Sequence, residues 1–229
     1  MNDGGGLDAV RQIIQAIDRE SDDGNYIFRG EPKAFEHPVS SSLYRRYADD
    51  IESEFFDIGR VQEEILEWAR TYDNEIESDF ELLTWLQHYG GRTNLIDFTI
   101  DYLIALFFAC DGFPNEDGMI YILNREGELK ERIESPRFPR NRVIAQKSIF
   151  VLAPNGIIEP SLYSSVTIPS DEKQRLLDRL RKRHGISSET IYNDLHGYIR
   201  NQDAHESVYA GFYRSLTSEN KGDGNGNGN

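Results

Sequence analysis

The sequence is almost free of cysteine, with Cys110 the single thiol among 229 residues. One thiol excludes a disulfide framework and a metal site built from several cysteines. No run approaches the roughly 18 uncharged apolar residues that a membrane span requires, and residues 1–6 lack the basic and then apolar order of a signal peptide. These absences predict a cytoplasmic protein that does not enter a membrane.

Basic residues are also scarce: 25 Lys and Arg stand against 40 Asp and Glu, for a net charge of -15. A protein that holds duplex nucleic acid by neutralising many phosphates needs the opposite balance, so the charge argues against that class. Residues 135–147 are an exception, because they contain no acid and four cations, which are Arg137, Arg140, Arg142 and Lys147. Two interpretations stay open for this segment: a local positive patch, or a basic loop that balances nearby acids.

Several motifs of common enzyme classes are missing. The sequence has no glycine loop of the P-loop or dinucleotide-fold type and no nucleophile elbow of a serine hydrolase. No metal-ligand spacing occurs among its five histidines, His37, His88, His184, His196 and His205. An enzyme reaction without a metal, in which the cofactor is itself the substrate, is the simplest chemistry that these absences leave.

The chain is long enough, with 38% hydrophobic content, for one sizeable core but not for two full domains. Apolar periodicity predicts an α+β domain over residues 1–217, with its core at about 25–200, and a disordered Gly/Asn tail at 218–229. Helical periods cover residues 7–17, 49–71, 79–88, 101–110 and 170–184. Strand patterns cover residues 26–30, 93–98, 119–123, 142–152 and 162–168.

Four ordered segments carry most of the unusual polar residues. They are FRGE at 28–31, WLQHYG at 85–90 running into TNLIDFT at 93–99, ALFFA at 105–109, and RVIAQKSIF at 142–150. In this order and spacing they resemble the FRG domain, named for its Phe-Arg-Gly triplet. The sequence departs from the common pattern of that family at Glu31, Arg92, Asn94, Phe98 and Ser148.

The layout of the FRG domain is similar to that of ADP-ribosyltransferases, which implies a small mixed or antiparallel split sheet surrounded by helices. NAD would then be a substrate, and the acceptor would be a macromolecule, either protein or nucleic acid. In these transferases a first-strand Arg or His, a second-strand Ser, Thr or Tyr, and a late-strand acid surround the nicotinamide ribose. The matching positions here are Arg29, Thr93 and Gln146, with an amide where the transferases usually carry Glu.

The other candidate roles each have a structural alternative. The fork of donors on Arg29 fits a diphosphate, unless it forms a buried ion pair with Asp97 or Glu31. His88 would contact the nicotinamide or ribose or transfer a proton, or else cap a helix end. Asp97 lies in an apolar segment and therefore needs a partner, with Arg29 or Arg92 expected.

We therefore expect Arg29, His88, Thr93, Asp97 and Gln146 to converge on one cleft, because polar groups in apolar segments need a ligand or each other. Eight further residues of the same segments would line the cofactor site: Phe28, Gly30, Glu31, Gln87, Gly90, Arg92, Phe98 and Arg142.

The resemblance implies an enzyme that acts as a toxin or phage-defence effector, with an antitoxin or immunity partner. Two other interpretations stay open. The amide of Gln146 in place of an acid favours a non-catalytic module that binds a nucleotide or another ligand. The third is an interaction protein whose surface is neutralised by an antitoxin.

Overall fold

The computed structural model describes residues 4–22, 24–51, 53, 55–76, 78–137 and 141–194. These residues form an α+β fold built on one antiparallel sheet of six strands, as the α+β prediction requires. The strands are β1 Tyr26–Glu31, β2 Leu95–Thr99, β3 Gly118–Asn124, β4 Ile133–Glu134, β5 Ser148–Leu152 and β6 Tyr163–Ile168. Their order across the sheet is β4-β5-β2-β1-β3-β6.

The centre of the sheet opens between β1 and β2. β1 pairs with β3 through six residue pairs, but it shares with β2 the single pair Phe28 with Thr99. β2 in turn pairs with β5 along its whole length. Since β1 and β2 separate after their one pair, the sheet leaves a gap between its two halves.

Nine α-helices lie within the described residues, and they surround this sheet. They are α1 Gly4–Glu20, α2 Ser42–Arg46, α3 Ala48–Ile51, α4 Ile58–Tyr72, α5 Asp79–His88, α6 Tyr102–Cys110, α7 Asn141–Ala145, α8 Lys173–Arg179 and α9 Ser188–Ile191. None of the described helices is long and apolar enough to cross a bilayer.

The helix α6 forms the centre of the core, as its almost wholly apolar sequence predicts. Asp101 caps it by accepting a hydrogen bond from the Leu103 N–H. The helix lies directly on β1 at Gly30, where an added Cβ would come within 1.8 Å of the Ala105 carbonyl oxygen. The glycine of the FRG triplet is therefore required by packing of a helix against a strand.

The predicted long helix over residues 49–71 is wrong. The chain forms α3 and then, after a break, α4, which Asp57 caps by accepting from the Gly59 N–H. Phe55, counted as part of the apolar face, is 93% exposed in the break. The apolar periodicity thus continued across a break in which Phe56 packs against Tyr47 while Phe55 faces solvent.

The predicted strand over residues 142–152 is wrong in its first half. Residues Asn141–Ala145 form α7, and β5 begins only at Ser148. The Gln146 N–H donates to the Arg142 carbonyl oxygen at 2.9 Å, which continues the helical turn. Lys147 has a φ of 45°, and this left-handed residue turns the chain into the strand.

The segment after β6 begins with a 3-10 turn, Ser170–Glu172, before α8, and continues as a π-helical stretch, Leu180–His184. Gly185 ends it at a φ of 66°, a left-handed conformation that suits a glycine cap. Within α9, the Thr190 Oγ1 accepts from the Ser187 N–H at 2.9 Å. The predicted tail at 218–229 lies outside the described residues.

Candidate functional site

A pocket of about 380 Å³ lies in the gap between β1 and β2. This volume is within the range of cavities that hold nucleotide-sized or drug-sized ligands. Its walls come from both separated strands, from the end of α5, from α6, and from α7 with the start of β5. They comprise Phe28, Arg29, Gly30, Thr84, Gln87, His88, Tyr89, Gly90, Asp97, Phe98, Thr99, Phe108, Arg142, Val143, Gln146, Ser148 and Phe150.

Most of the residues predicted for a site meet in this pocket, and three do not. The four proposed catalytic residues that line it are Arg29, His88, Asp97 and Gln146. The proposed cofactor contacts that line it are Phe28, Gly30, Gln87, Gly90, Phe98 and Arg142. The residues predicted for the site that do not line the pocket are Thr93, Glu31 and Arg92.

Arg29 crosses the gap in the sheet. Its Nη1 donates to the backbone carbonyl oxygen of Asp97 at 2.9 Å, and its Nε donates to the Glu31 Oε1 at 2.9 Å. Arginine and glutamate alternate with Phe28 and Gly30 along the strand, so they share one face. The Nη2 of Arg29 has no hydrogen-bond partner among the described residues, which leaves it for a ligand.

Glu31 lies behind Arg29, with only 2% of its surface exposed. It also receives the Arg45 Nη2 at 2.7 Å, so one carboxylate holds two guanidinium groups. Burial, followed by the charge of Arg29, lowers the pKa of Arg45. Glu31, predicted as a cofactor contact, does not line the pocket; it anchors Arg29, which is the ion-pair alternative for that arginine.

Asp97 pairs with an amide and not with a cation. Its Oδ2 accepts a hydrogen bond from the Gln87 Nε2 at 2.6 Å, while Arg29 reaches only its backbone oxygen. Thr93 is fully buried, and its hydroxyl donates to the Gln87 Oε1 while accepting from the Leu95 N–H. Thr93, predicted as a ribose contact, therefore does not line the pocket and fixes the orientation of the Gln87 amide from behind.

The electrostatics of Asp97 follow from the shape of the pocket. The Asp97 side chain is exposed to the pocket, but the surrounding protein atoms limit its hydration, and this raises its pKa. The positive charges of Arg29 and Arg142 and the Gln87 hydrogen bond oppose that rise. Asp97 is the one carboxylate among the lining residues. The expected pairing with Arg92 does not occur, because Arg92 is exposed and lies outside the pocket.

The end of α5 supplies the next wall. His88 is the last residue of the helix, and Tyr89 takes the capping position by donating its N–H to the Trp85 carbonyl oxygen. Gly90 follows at a φ of 88°, a conformation that glycine adopts without strain. The rings of His88 and Tyr89 meet edge to face at 5.1 Å. Tyr89 was not predicted for the site, although its position between two predicted residues was a usable signal.

Gln146 and Arg142 come from α7 and the turn that follows it. The Gln146 Nε2 donates to the Ile191 carbonyl oxygen at 3.2 Å, so its amide is held by α9. The guanidinium of Arg142 lies 5.3 Å from the centre of the Tyr192 ring. Arg142 of the basic segment 135–147 therefore contributes positive charge to the pocket. Arg140 of the same segment lies outside the described residues.

Sequence reasoning also missed several apolar and small walls of the pocket, among them Phe108, Phe150, Thr84 and Ser148. Their side chains read as ordinary core positions in the sequence. In the described ranges, no three His, Cys, Asp or Glu side chains gather in a way that could hold a metal ion.

Residues 24–117 match the family model of the FRG domain. The match contains the FRGE, WLQHYG, TNLIDFT and ALFFA segments, and it ends before the RVIAQKSIF segment. It therefore covers β1, β2, α5 and α6 of the pocket but neither α7 nor β5. No curated protein and no solved structure matches the chain.

Proposed function

We propose that this chain is an NAD-dependent, ADP-ribosyltransferase-like enzyme that modifies a macromolecule. The observation that carries the proposal is the pocket at the gap between β1 and β2. There the carboxylate of Asp97 lies under the influence of two guanidinium groups, those of Arg29 and Arg142. A carboxylate for a developing positive charge and cations for phosphate oxygens are what cleavage of NAD requires.

The reaction breaks the bond between the nicotinamide nitrogen and the ribose carbon. The pyridinium nitrogen leaves with the electron pair as neutral nicotinamide, and positive charge develops on the ribose carbon and ring oxygen. Asp97 would stabilise this oxocarbenium character, as a carboxylate does in glycoside hydrolysis. The hydrogen bond from Gln87 fixes the Oδ2 of Asp97, and the buried Thr93 fixes Gln87.

The remaining lining residues fit the rest of NAD. The free Nη2 of Arg29 and the guanidinium of Arg142 would bind the diphosphate, which matches their fork of donors. Phe28, Phe98 and Phe150 provide apolar surface for a planar ring. The anionic diphosphate would also offset the repulsion between the two cations.

The acceptor must lose a proton when its nucleophilic atom bonds to the ribose carbon. His88 lies at the pocket wall, at the end of α5, and is our candidate for the base that takes this proton. Gln146 cannot do so, because an amide does not titrate and its Nε2 already donates to Ile191. In this proposal Asp97 replaces the late-strand acid of the transferases.

The competing function is a module that binds a nucleotide without turnover. The observation that favours it is the amide at Gln146, which leaves the pocket with one carboxylate among its lining residues. Such a module would retain the cations and apolar walls of the site. It predicts binding of NAD that does not depend on the charge of Asp97.

The experiment uses NAD labelled in its adenylate half, a cell lysate as the source of acceptors, and purified protein. We expect release of nicotinamide and transfer of the label, both lost in Asp97→Asn and retained in Asp50→Asn, an exposed carboxylate outside the pocket. Binding of NAD with no release of nicotinamide by the wild type would establish the module instead. Equal activity of Asp97→Asn and Asp50→Asn would contradict the role of Asp97.

A toxin or phage-defence role, with an antitoxin as partner, remains a prediction from the resemblance alone. Affinity purification of the tagged chain from its own host tests it. A co-purifying protein that blocks label transfer when added back would support the antitoxin. A chain that transfers label in its host with no inhibitory partner would contradict it.

A further inference from the structure

A second cavity lies away from the pocket between β1 and β2. It has a volume of about 240 Å³ and is lined by residues of α1 and of α8 with its π-helical extension: Arg11, Ile14, Gln15, Arg179 and Arg183. We call it the arginine cleft. None of its residues lines the first pocket.

The arginine cleft collects positive charge without a counter-charge. Within the described part of the chain, no carboxylate lies within 4.0 Å of its three guanidinium groups. Gathering like charges costs free energy unless an opposite charge offsets it. The whole chain has a net charge of -15, yet no carboxylate among the described side chains forms an ion pair with these arginines.

Arg179 also carries an unsatisfied donor. The Nε of Arg179 is buried and has no hydrogen-bond partner among the described residues. Leaving a charged donor unsatisfied is costly, and such groups normally have a partner in the native state. Arg11 and Gln15 are one turn apart on α1, and Arg179 and Arg183 are one turn apart on the facing helix. Arginine side chains from two helices thus line one cavity.

We propose that the arginine cleft binds a compact phosphate-class anion, the phosphate or diphosphate group of a small molecule. Arginine is suited to this ligand because its planar fork binds two phosphate oxygens at once. Three such forks on two helices favour a multiply charged oxyanion over a carboxylate or chloride. The acidic charge of the whole chain disfavours duplex nucleic acid as the source of the phosphates.

The test measures the affinity of the full chain for inorganic pyrophosphate and for orthophosphate by calorimetry, with sodium chloride at matched ionic strength as the salt control. Arg11→Gln and Arg183→Gln remove one exposed cation from each helix. The matched control is Lys182→Gln, which removes the same charge from a neighbouring exposed position outside the cleft. Because Arg29 is proposed to bind a diphosphate in the pocket between β1 and β2, all of these variants are made in the Arg29→Gln background, which removes that contribution.

In that background we expect pyrophosphate binding to persist, to be about tenfold weaker in Arg11→Gln and in Arg183→Gln, and to be nearly unchanged in Lys182→Gln. Tighter binding of pyrophosphate than of orthophosphate would identify a diphosphate as the group, and the reverse order a monophosphate. The proposal is overturned if wild type binds neither anion, or if sodium chloride gives the same heat. It is also overturned if Lys182→Gln weakens binding as much as Arg183→Gln does, or if Arg29→Gln abolishes it.

Discussion

Glu31 holds the charges of the site in place at the scale of single residues. It is almost fully buried between Arg29 and Arg45, and its Oε2 has no partner among the described residues. A buried carboxylate of this kind stabilises the fold only through its partners, because the free energy of removing it from water exceeds the attraction of one ion pair. Its loss would leave both guanidinium groups without a carboxylate.

We therefore expect Glu31→Gln to lower the free energy of unfolding by roughly 3 to 5 kcal/mol, the usual effect of leaving a buried charge unpaired. Glu36→Gln, at an exposed position shortly after β1, is the matched control and should change the free energy of unfolding by less than about 0.5 kcal/mol. Arg29→Ala should cost less than Glu31→Gln, because Arg45 still pairs with the carboxylate. Urea unfolding measures all three variants, and equal stability of Glu31→Gln and wild type would contradict this assignment.

The raised pKa of Asp97 gives a second prediction at this scale. The unfolded chain releases the Asp97 proton near the ordinary pKa of 3.8, whereas the folded chain retains it to higher pH. As pH rises through that window, the free energy of unfolding of the wild type should fall relative to Asp97→Asn, which has no such proton. Below 3.8 and above the raised pKa, the difference between the two proteins should be constant.

Urea unfolding of both proteins from about pH 3 to pH 7 tests this difference. Subtracting the two curves removes the contribution of the other acids. If the free energy of unfolding of the wild type instead rises with pH relative to that of Asp97→Asn, the pKa of Asp97 is lowered. The charges of Arg29 and Arg142 and the Gln87 hydrogen bond would then outweigh the limited hydration of the carboxylate.

At the scale of elements, the contact between β1 and α6 sets the shape of the pocket. Gly30 lets the helix lie directly on the strand, and Arg29 beside it crosses to β2. Gly30→Ala would place a methyl group 1.8 Å from the Ala105 oxygen, so the helix must move. We expect a loss of more than about 3 kcal/mol of stability.

Gly127→Ala is the matched control, because an added Cβ there meets its nearest atom, the Asn124 oxygen, at 3.3 Å. Thermal unfolding of the two variants makes the comparison. A Gly30→Ala protein that melts with the wild type would show that the gap between strand and helix can widen freely.

Elements with one clear pattern could be predicted from sequence, and elements defined by a break could not. The apolar run of α6 and the strands β3 and β6 agree with their predicted ranges to within one or two residues. The failures are the break before α4 and the turn at Lys147, where a helical or strand-like pattern runs on across a change of direction. Periodicity reports which residues can be buried and does not report where the backbone bends.

The candidate site shows the same division. The polar residues of the motif segments could be predicted to converge, because buried polar groups need partners. Which of these residues line the pocket and which lie behind it could not be predicted. Sequence spacing does not tell whether the Thr93 hydroxyl faces a ligand or bonds to Gln87 from behind. Likewise the ion pair of Arg29 goes to Glu31, two residues away on the same strand face, and not to Asp97.

At the scale of the whole molecule, one buried lysine joins parts of the chain that are distant in sequence. Lys173 opens α8, and only 3% of its surface is exposed. Its ammonium donates to the carbonyl oxygens of Pro32, Gly112 and Phe113, at 2.6, 3.2 and 3.0 Å. All three of its protons are therefore used on backbone oxygens, which links α8 to the connections after β1 and after α6.

Lys173→Met keeps most of the buried chain length but removes the charge and all three donors. The carbonyl oxygens it leaves would need water at a site that the folded chain shields, and each unsatisfied group costs about 1 to 3 kcal/mol. We expect Lys173→Met to lower the free energy of unfolding in urea by at least about 3 kcal/mol. The control Lys182→Met, at an exposed position of the same helical segment, should lower it by less than about 0.5 kcal/mol. Because the Pro32 connection continues β1 beyond Arg29 and Glu31, Lys173→Met should also bind NAD more weakly at temperatures where it remains folded. Wild-type stability in Lys173→Met would show that the three connections are held by their other contacts, and that the lysine is accommodated there without stabilising the fold.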